Sequence, residues 1–365
     1  MSASDNAQFE TSGATGDADL NAHDRRPLMV ARLDDWIQIR RAKRAVKRGK
    51  IATVIPYIGY GTTDWIRVLG RVLYLKPEAA EKWRVRPDLQ MAQRARGWRS
   101  FTSVHVVHSK VRVLIDGVDV GEITSDRGGV IDLKLSISLT PGWHKIRLST
   151  DENDGSEGLV MVVDPAVKFG VISDVDDTVM ITALPRPLVA GWNSFVVSEQ
   201  ARAAVPGMAV FLDHQIAAHP GAPIIYLSTG AWNVAPALNR FLSRNLYPTG
   251  PLLLTDWGPT TDRWFRSGKE HKQRELERLA TEFPNIKWLL IGDDGQHDES
   301  LYHEFSSRFP NNVLAVAIRQ LSTGEAVLAG GRTKAVKNES ASGVPWVYGP
   351  DGATLAFKLD RHGIS

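Results

Sequence analysis

The stretch Val171-Ile172-Ser173-Asp174-Val175-Asp176-Asp177-Thr178 runs from apolar residues into a cluster of carboxylates that ends in a threonine. Read as a strand and its exit, it sets Asp174 and Asp176 two residues apart just past a buried strand end. Carboxylates crowd there at a cost unless something neutralises them. A hard divalent cation such as Mg²⁺ would do so, because it takes oxygen ligands. A strand end carrying a metal-ready aspartate pair points to phosphoryl transfer.

Three more elements follow in order: Ile224-Ile225-Tyr226-Leu227-Ser228, an apolar run ending in a hydroxyl; Lys272, read as opening a helix; and Leu290-Ile291-Gly292-Asp293-Asp294-Gly295-Gln296-His297-Asp298, another apolar run ending in acids. Each type has work to do in phosphate-ester hydrolysis. A carboxylate at a strand end can attack phosphorus and form an aspartyl-phosphate. A second carboxylate two residues on can protonate the leaving alkoxide and then activate water. A third acid from a distant strand completes the metal shell, and the metal screens the nucleophile from the anionic phosphate. A lysine and a hydroxyl hold the phosphate oxygens. Singly, each signal has an ordinary structural reading. An Asp after a strand is a common cap or turn residue, Ser228 a helix N-cap, and Lys272 a solvated helix residue. The weight lies in the set and its order. Thr229 and Lys269 stand close enough to compete for the roles of Ser228 and Lys272.

Such groups must be carried by strands that end together. The periodicity predicts strands over Phe169–Ser173, Ile224–Ser228, Leu252–Thr255, Lys287–Ile291 and Val313–Ile318. Helices are predicted over Val205–His219, Asn233–Asn245, Lys272–Glu282 and Asp298–Arg308. Alternation of this kind implies an α/β unit, a parallel sheet with helices on both faces, which binds its ligand at the carboxyl ends of the strands.

Upstream the period is two. Val111, Val113 and Ile115 alternate into the turn signal Asp116-Gly117, and Ile131, Leu133, Leu135, Ile137 and Leu139 alternate into Thr140-Pro141-Gly142. A small all-β, sandwich-like domain is expected there, with the basic, helically spaced stretch Pro77–Arg99 as an insertion or a crossover within it. The division read from the sequence is a disordered tail over 1–26, a β-rich domain with a basic helical entry over 27–165, a catalytic domain over 166–325, and an extension over 326–365 to which no element is assigned. Residues 1–24 carry Asp5, Glu10, Asp17, Asp19 and Asp24 and no Lys or Arg. Arg25 to Lys50 then holds ten basic residues against Asp34 and Asp35. Leu33, Trp36, Ile37 and Val46 give that segment an apolar face. It reads as a solvated surface helix or as a basic amphipathic element that meets anionic lipid.

The four elements resemble the haloacid dehalogenase superfamily of phosphohydrolases, and their wording resembles the actin-patch-type phosphatidate phosphatase family. The residues behind the second resemblance are Ser173 to Thr178, Tyr226-Leu227-Ser228, Phe283-Pro284 and Leu290 to Glu299. Tyr57-Ile58-Gly59-Tyr60-Gly61 and Gly70-Arg71-Val72-Leu73 are similar to the N-terminal region of bacterial members. The resemblance implies a Rossmann-like catalytic domain. It implies Asp174 as nucleophile and Asp176 as general acid and base. Ser228, Lys272 and Thr178 would lie on the phosphate, and Asp174, Asp176, Asp293 and Asp298 would lie around Mg²⁺. It further implies phosphatidate as substrate, with diacylglycerol and phosphate as products. Asp294 would be an outer residue and Asp177 a turn residue.

Composition narrows the alternatives. With 365 residues, 43% hydrophobic and 23% charged, the chain is a globular one of two ordinary domains. It has no cysteine, which excludes disulfides, thiolate metal sites and cysteine nucleophiles. No apolar run spans a bilayer and no signal peptide is evident, so a cytoplasmic protein is expected, and the basic 25–50 segment would suit its peripheral recruitment to an anionic membrane. A net charge of +3 gives no reason to expect nucleic acid. Thr178 and Ser228 are 50 residues apart, and Ser228 and Lys272 are 44 apart. Those spacers leave little room for a large cap over the site, which favours a bulky substrate such as a phospholipid. A nucleic-acid end, a phosphoprotein or a lipid-binding module with a silent site are the competing readings. Asp151 to Gly155 reads as an acidic hairpin turn, and His105 and His108 as residues on opposite faces of one strand.

Overall fold

The computed structural model describes residues 28–85, 104–181, 202–255, 264–295, 297–328 and 343–364. The predicted tail and the predicted insertion beyond Val85 lie outside the described residues. The architecture is mixed α/β, built on two sheets.

A first helix, α1 (Leu28–Lys47), leads into β1 (Ile51–Thr62) and β2 (Trp65–Leu75). After them come α2 (Pro77–Val85), β3 (Val104–His105), β4 (Lys110–Ile115), β5 (Val118–Thr124), β6 (Val130–Ser136), β7 (Gly142–Thr150) and β8 (Asn153–Val163). The strands form one curled sheet in the order β3-β2-β1-β8-β7-β4-β5, with β6 paired to β2. The sheet is mixed because β1 runs parallel to β8. The alternation explains the inner face: Val111, Val113 and Ile115 are buried and pack with Val54, Val68, Ile146 and Val160. Where a sandwich would pack two sheets, one hydrogen-bonded sheet curls around this cluster. Asp116 and Gly117 both adopt positive φ, 50° and 86°, which the two-residue turn between β4 and β5 requires. Asp151 and Glu152 form the turn between β7 and β8, and Glu152 accepts from the Ala52 amide at 2.7 Å. His105 ends β3 but His108 stands in a turn at φ 47°.

In β6 the alternation breaks. Leu133 is 37% exposed, whereas Asp132 accepts from Arg67 at 2.7 Å and from Arg278 at 2.8 Å. That face of the strand looks onto a helix of the second half instead of solvent.

The second sheet contains β9 (Phe169–Asp174), β10 (Ile224–Ala231), β11 (Leu252–Thr255), β12 (Lys287–Asp293), β13 (Val313–Arg319) and β14 (Trp346–Gly349). Its order is β11-β10-β9-β12-β13-β14, with every pair parallel. Its strands are buried along nearly their whole length, as parallel strands with covered faces are. Between and after the strands come α3 (Met208–Ala218), α4 (Ala235–Arg244), α5 (Trp264–Glu282), α6 (Asp298–Arg308), α7 (Thr323–Leu328) and α8 (Gly352–Asp360). Contacts join α5 to α6 and to β10 and β11, and join α3 to α8, which also touches β13 and β14. The segment after Ala326, without an assigned element in the sequence, supplies an edge strand and a helix capped by the Asp351 carboxylate, which accepts from the Thr354 amide at 2.8 Å.

One helix differs from expectation. α5 starts at Trp264, so Lys272 lies inside it and does not open it. A Ser-Gly pair ordinarily favours a turn. In the fold Gly268 lets the helix approach β10, since a Cβ there would stand 3.0 Å from the Thr229 methyl. The two sheets share a core: Tyr57, Tyr60 and Leu69 pack in one cluster with Phe169, Trp232 and Phe283. Among the described residues, no helix is long and apolar enough to cross a membrane.

Candidate active site

Strand β9 lies in the middle of the parallel sheet. The chain moves from β9 to β10 and β11, then returns to β12 on the other side of β9. Such a reversal opens a crevice at the carboxyl ends of the strands. Register places the motifs there. Leu227 stands opposite Asp174 and Ile291 opposite Ser173, so Ser228 and Asp293 emerge on either side of the Asp174 exit. Asp174 ends β9, Asp293 ends β12, and Asp298 is the first residue of α6.

Lys272 reaches in from α5. Its Nζ donates to Asp174 Oδ1 at 2.6 Å and to Asp298 Oδ1 at 2.7 Å, and lysine and aspartates are all buried. The Asp298 Oδ2 also lies 3.4 Å from the Asp293 amide, and Asp293 Oδ1 accepts from the Gly295 amide at 2.6 Å. One carboxylate oxygen from each of Asp174, Asp293 and Asp298 falls within 4.8 Å of the others. Gly292 makes room for this arrangement, because a Cβ there would meet Asp298 Oδ2 and the Tyr302 ring, each at 2.7 Å.

Asp176 sits apart from that cluster and is half-buried. It accepts from the Ser228 hydroxyl at 3.1 Å, and Ser228 Oγ in turn accepts from the Gly230 amide at 3.0 Å. Asp177 takes positive φ, 58°, and its amide donates to the Met180 carbonyl at 2.7 Å, so the loop turns back on itself. Thr178 is buried, and among the described residues its Oγ1 has no hydrogen-bond partner.

The electrostatics follow from one ammonium facing three buried carboxylates. Burial pushes the Asp174 carboxyl well up, and Asp298 and Asp176 push it further against the pull of Lys272. Asp293 is raised likewise, by burial and then by Asp298, Asp174 and Asp177. Burial works against the Lys272 charge, but Asp174 and Asp298 outweigh it and hold the ammonium protonated. The cluster carries more negative charge than its lysine neutralises. Its donors are all carboxylate oxygens, the set a hard divalent cation takes, and the residues present fit such an ion.

Four of the sequence-predicted site residues, Asp174, Asp293, Asp298 and Lys272, therefore meet at one point. Asp176 and Ser228 meet each other beside it. Lys272 makes the two contacts and Ser228 bonds Asp176, while Lys269 and Thr229 are half-buried neighbours on the same elements. Asp294 turns away: its Oδ1 accepts from the Leu321 amide at 2.9 Å. His297 is exposed just before α6, and Gln296 lies outside the described residues. Sequence reasoning missed Arg319. It ends β13 in register with Asp293, and its Nη1 donates to the Asp177 carbonyl at 2.7 Å while Nη2 bonds Glu325 at 2.6 Å. The signal was present, since a charged residue closing a predicted strand is the feature that marked Asp174 and Asp293.

Residues 169–320, the segment holding Asp174, Asp176, Ser228, Lys272, Asp293, Asp298 and Arg319, match the family described as "Phosphatidate phosphatase APP1, catalytic domain". The Phosphatidate phosphatase APP1 of Saccharomyces cerevisiae is 24% identical over 204 residues, covering 54% of this chain and 34% of that protein. An uncharacterized protein of Schizosaccharomyces pombe is 23% identical over 155 residues, 42% of this chain and 25% of its own. The aligned part is thus about a third or less of each relative's length. Among solved structures, a carbohydrate acetylesterase from Xanthomonas citri aligns over 77% of this chain and 73% of its own at 11% identity with a TM-score of 0.26. An acetyl xylan esterase from Butyrivibrio proteoclasticus aligns over 70% and 83% at 14% identity with a TM-score of 0.18. Scores this low support no statement about fold.

Proposed function

We propose that the chain is a Mg²⁺-dependent phosphomonoesterase of the haloacid dehalogenase type that converts phosphatidate to diacylglycerol and phosphate. The observation that carries this reading is the convergence of Asp174, Asp293, Asp298 and Lys272 at the carboxyl ends of β9 and β12. The match of residues 169–320 to the phosphatidate phosphatase catalytic domain supports the substrate. In this reading residues 166–325 form a doubly wound, Rossmann-like catalytic domain, and 27–165 a β-domain before it.

Asp174 supplies the nucleophile. One of its carboxylate oxygens attacks phosphorus, the bond from phosphorus to the ester oxygen breaks, and the leaving alkoxide takes a proton from Asp176. Asp176, now a carboxylate, takes a proton from water. That water's oxygen attacks phosphorus and releases Asp174 and inorganic phosphate. The Ser228 hydroxyl orients Asp176 and, with Thr178, lies where phosphate oxygens arrive. Lys272 keeps its proton and fixes Asp174 and Asp298. Asp174, Asp293 and Asp298, with Asp176 beside them, would hold Mg²⁺, which when bound offsets the charge of carboxylates and phosphate together.

A phospholipid substrate also gives α1 a role. Trp36, Ile39 and Val46 are each about half exposed on a helix whose residues 40–47 include Arg40, Arg41, Lys43, Arg44 and Lys47 and no acid, with Arg48 and Lys50 just beyond its end. A helix of that kind settles on anionic lipid, and a cytoplasmic, peripheral location fits it.

Phosphate release from phosphatidate in mixed micelles, with Mg²⁺ or EDTA, tests the reading in wild type and Asp174→Asn. The expected result is Mg²⁺-dependent release lost in the variant. Release from an aryl phosphate alone would keep the mechanism and discard the lipid, and silence on both substrates would reject the enzyme.

A further inference from the structure

The motif Tyr57-Ile58-Gly59-Tyr60-Gly61 lies on β1 of the first sheet, outside the segment that carries the catalytic groups. Its two tyrosines reach across to the second half. The Tyr57 hydroxyl donates to the Trp232 carbonyl at 3.1 Å, and the two rings stack with centroids 4.8 Å apart at 12°. Trp232 follows β10 directly, four residues after Ser228. The Tyr60 hydroxyl donates to Glu282 Oε2 at 2.9 Å, and Arg67 on β2 bonds Glu282 Oε1 at 2.5 Å. Glu282 closes α5, the helix that carries Lys272.

The fastening continues along α5. Arg67 and Arg278 share Asp132 of β6 at 2.7 and 2.8 Å, and Arg278 also pairs with Glu275, one turn from Lys272. These charges are largely buried between the first sheet and α5. Buried ion pairs add little stability over apolar packing, but they fix one arrangement, because any other leaves a charge unpaired. Glycines keep the motif strand close: a Cβ at Gly59 would stand 2.5 Å from the Arg67 carbonyl oxygen, and one at Gly61 2.1 Å from that of Trp65.

We infer that the first sheet registers the catalytic groups: Tyr57 holds the β10 exit and so Ser228, while Tyr60 and Arg67 hold α5 and so Lys272, against an Asp174 and Asp176 carried by β9. Tyr57, Tyr60 and Arg67 are positioning residues, since none touches the reacting atoms. The geometry they protect is strict, because a misplacement of about 1 Å can cost about a hundredfold in rate. This inference deepens the phosphatase reading, and its kinetic arm rests on that reading.

The test uses the full chain with Tyr57→Phe and Tyr60→Phe, which keep the rings and delete one hydroxyl each. Val113→Ala, in the core of the same sheet but away from the motif, serves as a control for lost stability. Hydrolysis of an aryl phosphate well below each melting temperature should show kcat down about tenfold in both Phe variants with KM nearly unchanged, and Val113→Ala at the wild-type kcat. Tyr57→Phe added to Ser228→Ala should cost little more than Ser228→Ala alone, because the hydroxyl acts through that residue. Unchanged kcat in both Phe variants, an additive double variant, or an equal kcat loss in Val113→Ala overturns the inference. Amide hydrogen exchange over residues 228–234 and along α5 decides it independently. Faster exchange over 228–234 in Tyr57→Phe and along α5 in Tyr60→Phe supports it, and wild-type exchange in both rejects it. A wild-type protein without phosphatase activity would sink the functional reading and leave exchange as the judge.

Discussion

Lys272→Met removes the ammonium that bonds both Asp174 and Asp298. At about 2.7 Å and an effective dielectric near 20, each contact corresponds to about 6 kcal/mol of gross attraction. Taking the ions out of water offsets most of that, and removing one partner of a buried pair leaves a net loss of about 3–5 kcal/mol. The loss comes from the carboxylates left behind, so it should be relieved by removing one of them. Asp298→Asn in the Lys272→Met background should recover about 2–3 kcal/mol, although Asp298→Asn alone is destabilising because it strips Lys272 of a partner. Urea unfolding of the four proteins in EDTA, followed by far-UV circular dichroism, measures the cycle. Mg²⁺ gives a second reading: at about 100 times its dissociation constant an ion bound only to the folded state adds about 2.7 kcal/mol, and Lys272→Met should gain more from it than wild type does. Additivity within about 0.5 kcal/mol, or a Lys272→Met loss below about 1 kcal/mol when about 3 is expected, would refute the charge balance drawn for this site.

Two further outcomes follow from local geometry. Gly292→Ala should destabilise by about 1–3 kcal/mol and lower kcat together, because the new methyl would overlap Asp298 Oδ2 and the Tyr302 ring at 2.7 Å; a thermal melt and an aryl-phosphate assay on one preparation check both effects. The His144 imidazole bonds Asp116 Oδ2 at 2.6 Å and the Thr140 carbonyl at 2.7 Å. Burial pulls the imidazole down, but those two bonds outweigh it and hold its pKa above the ordinary value, while the bond from His144 holds Asp116 below its own. The folded state therefore binds the imidazole proton more tightly than the unfolded chain does, so His144 stabilises below about pH 6.5 and the contribution fades as pH rises through the folded value. Asp116 adds stability above about pH 4 that is lost as pH falls through its lowered value. The melting gap between wild type and His144→Gln should be widest near about pH 5.5 and narrow by about pH 8.5; a gap that widens toward alkaline pH would contradict the pairing.

The parallel strands were legible because each contains a short apolar run buried on both faces, although β10 continues past Ser228 to Ala231. Phe169–Ser173 is one residue short of the strand observed, and Asp298–Arg308 coincides with α6. The start of α5 was hidden because Ser267-Gly268 looks like a break until Thr229 is seen packed against it. Strand β14 was hidden because Trp346 to Gly349 makes its hydrogen bonds to β13 from across a segment with no local period. The charged cluster of Arg67, Asp132, Arg278 and Glu282 was illegible for a related reason. Each residue looks like a solvated surface charge in its own element, and only the packing of β2 and β6 on α5 brings them together.

Asp174 and Asp298 are 124 residues apart in sequence and share one lysine in space. Strand order explains this convergence. β9 has β10 on one side and β12 on the other, so whatever follows any of the three strands emerges at the same crevice regardless of spacer length. The four elements are not fastened equally, however. Asp174, Asp293 and Asp298 sit on β9, β12 and the start of α6, whose support lies within the parallel sheet: the Tyr302 hydroxyl bonds the Ile291 carbonyl, and Arg319 bonds the Asp177 carbonyl. Ser228 and Lys272 sit on elements that also answer to the first sheet, through Trp232 and Glu282. A lesion in β1 should therefore leave the strands that carry Asp174 and Asp293 in place and disturb Ser228 and Lys272, a division that separates loss of turnover from loss of the carboxylate scaffold.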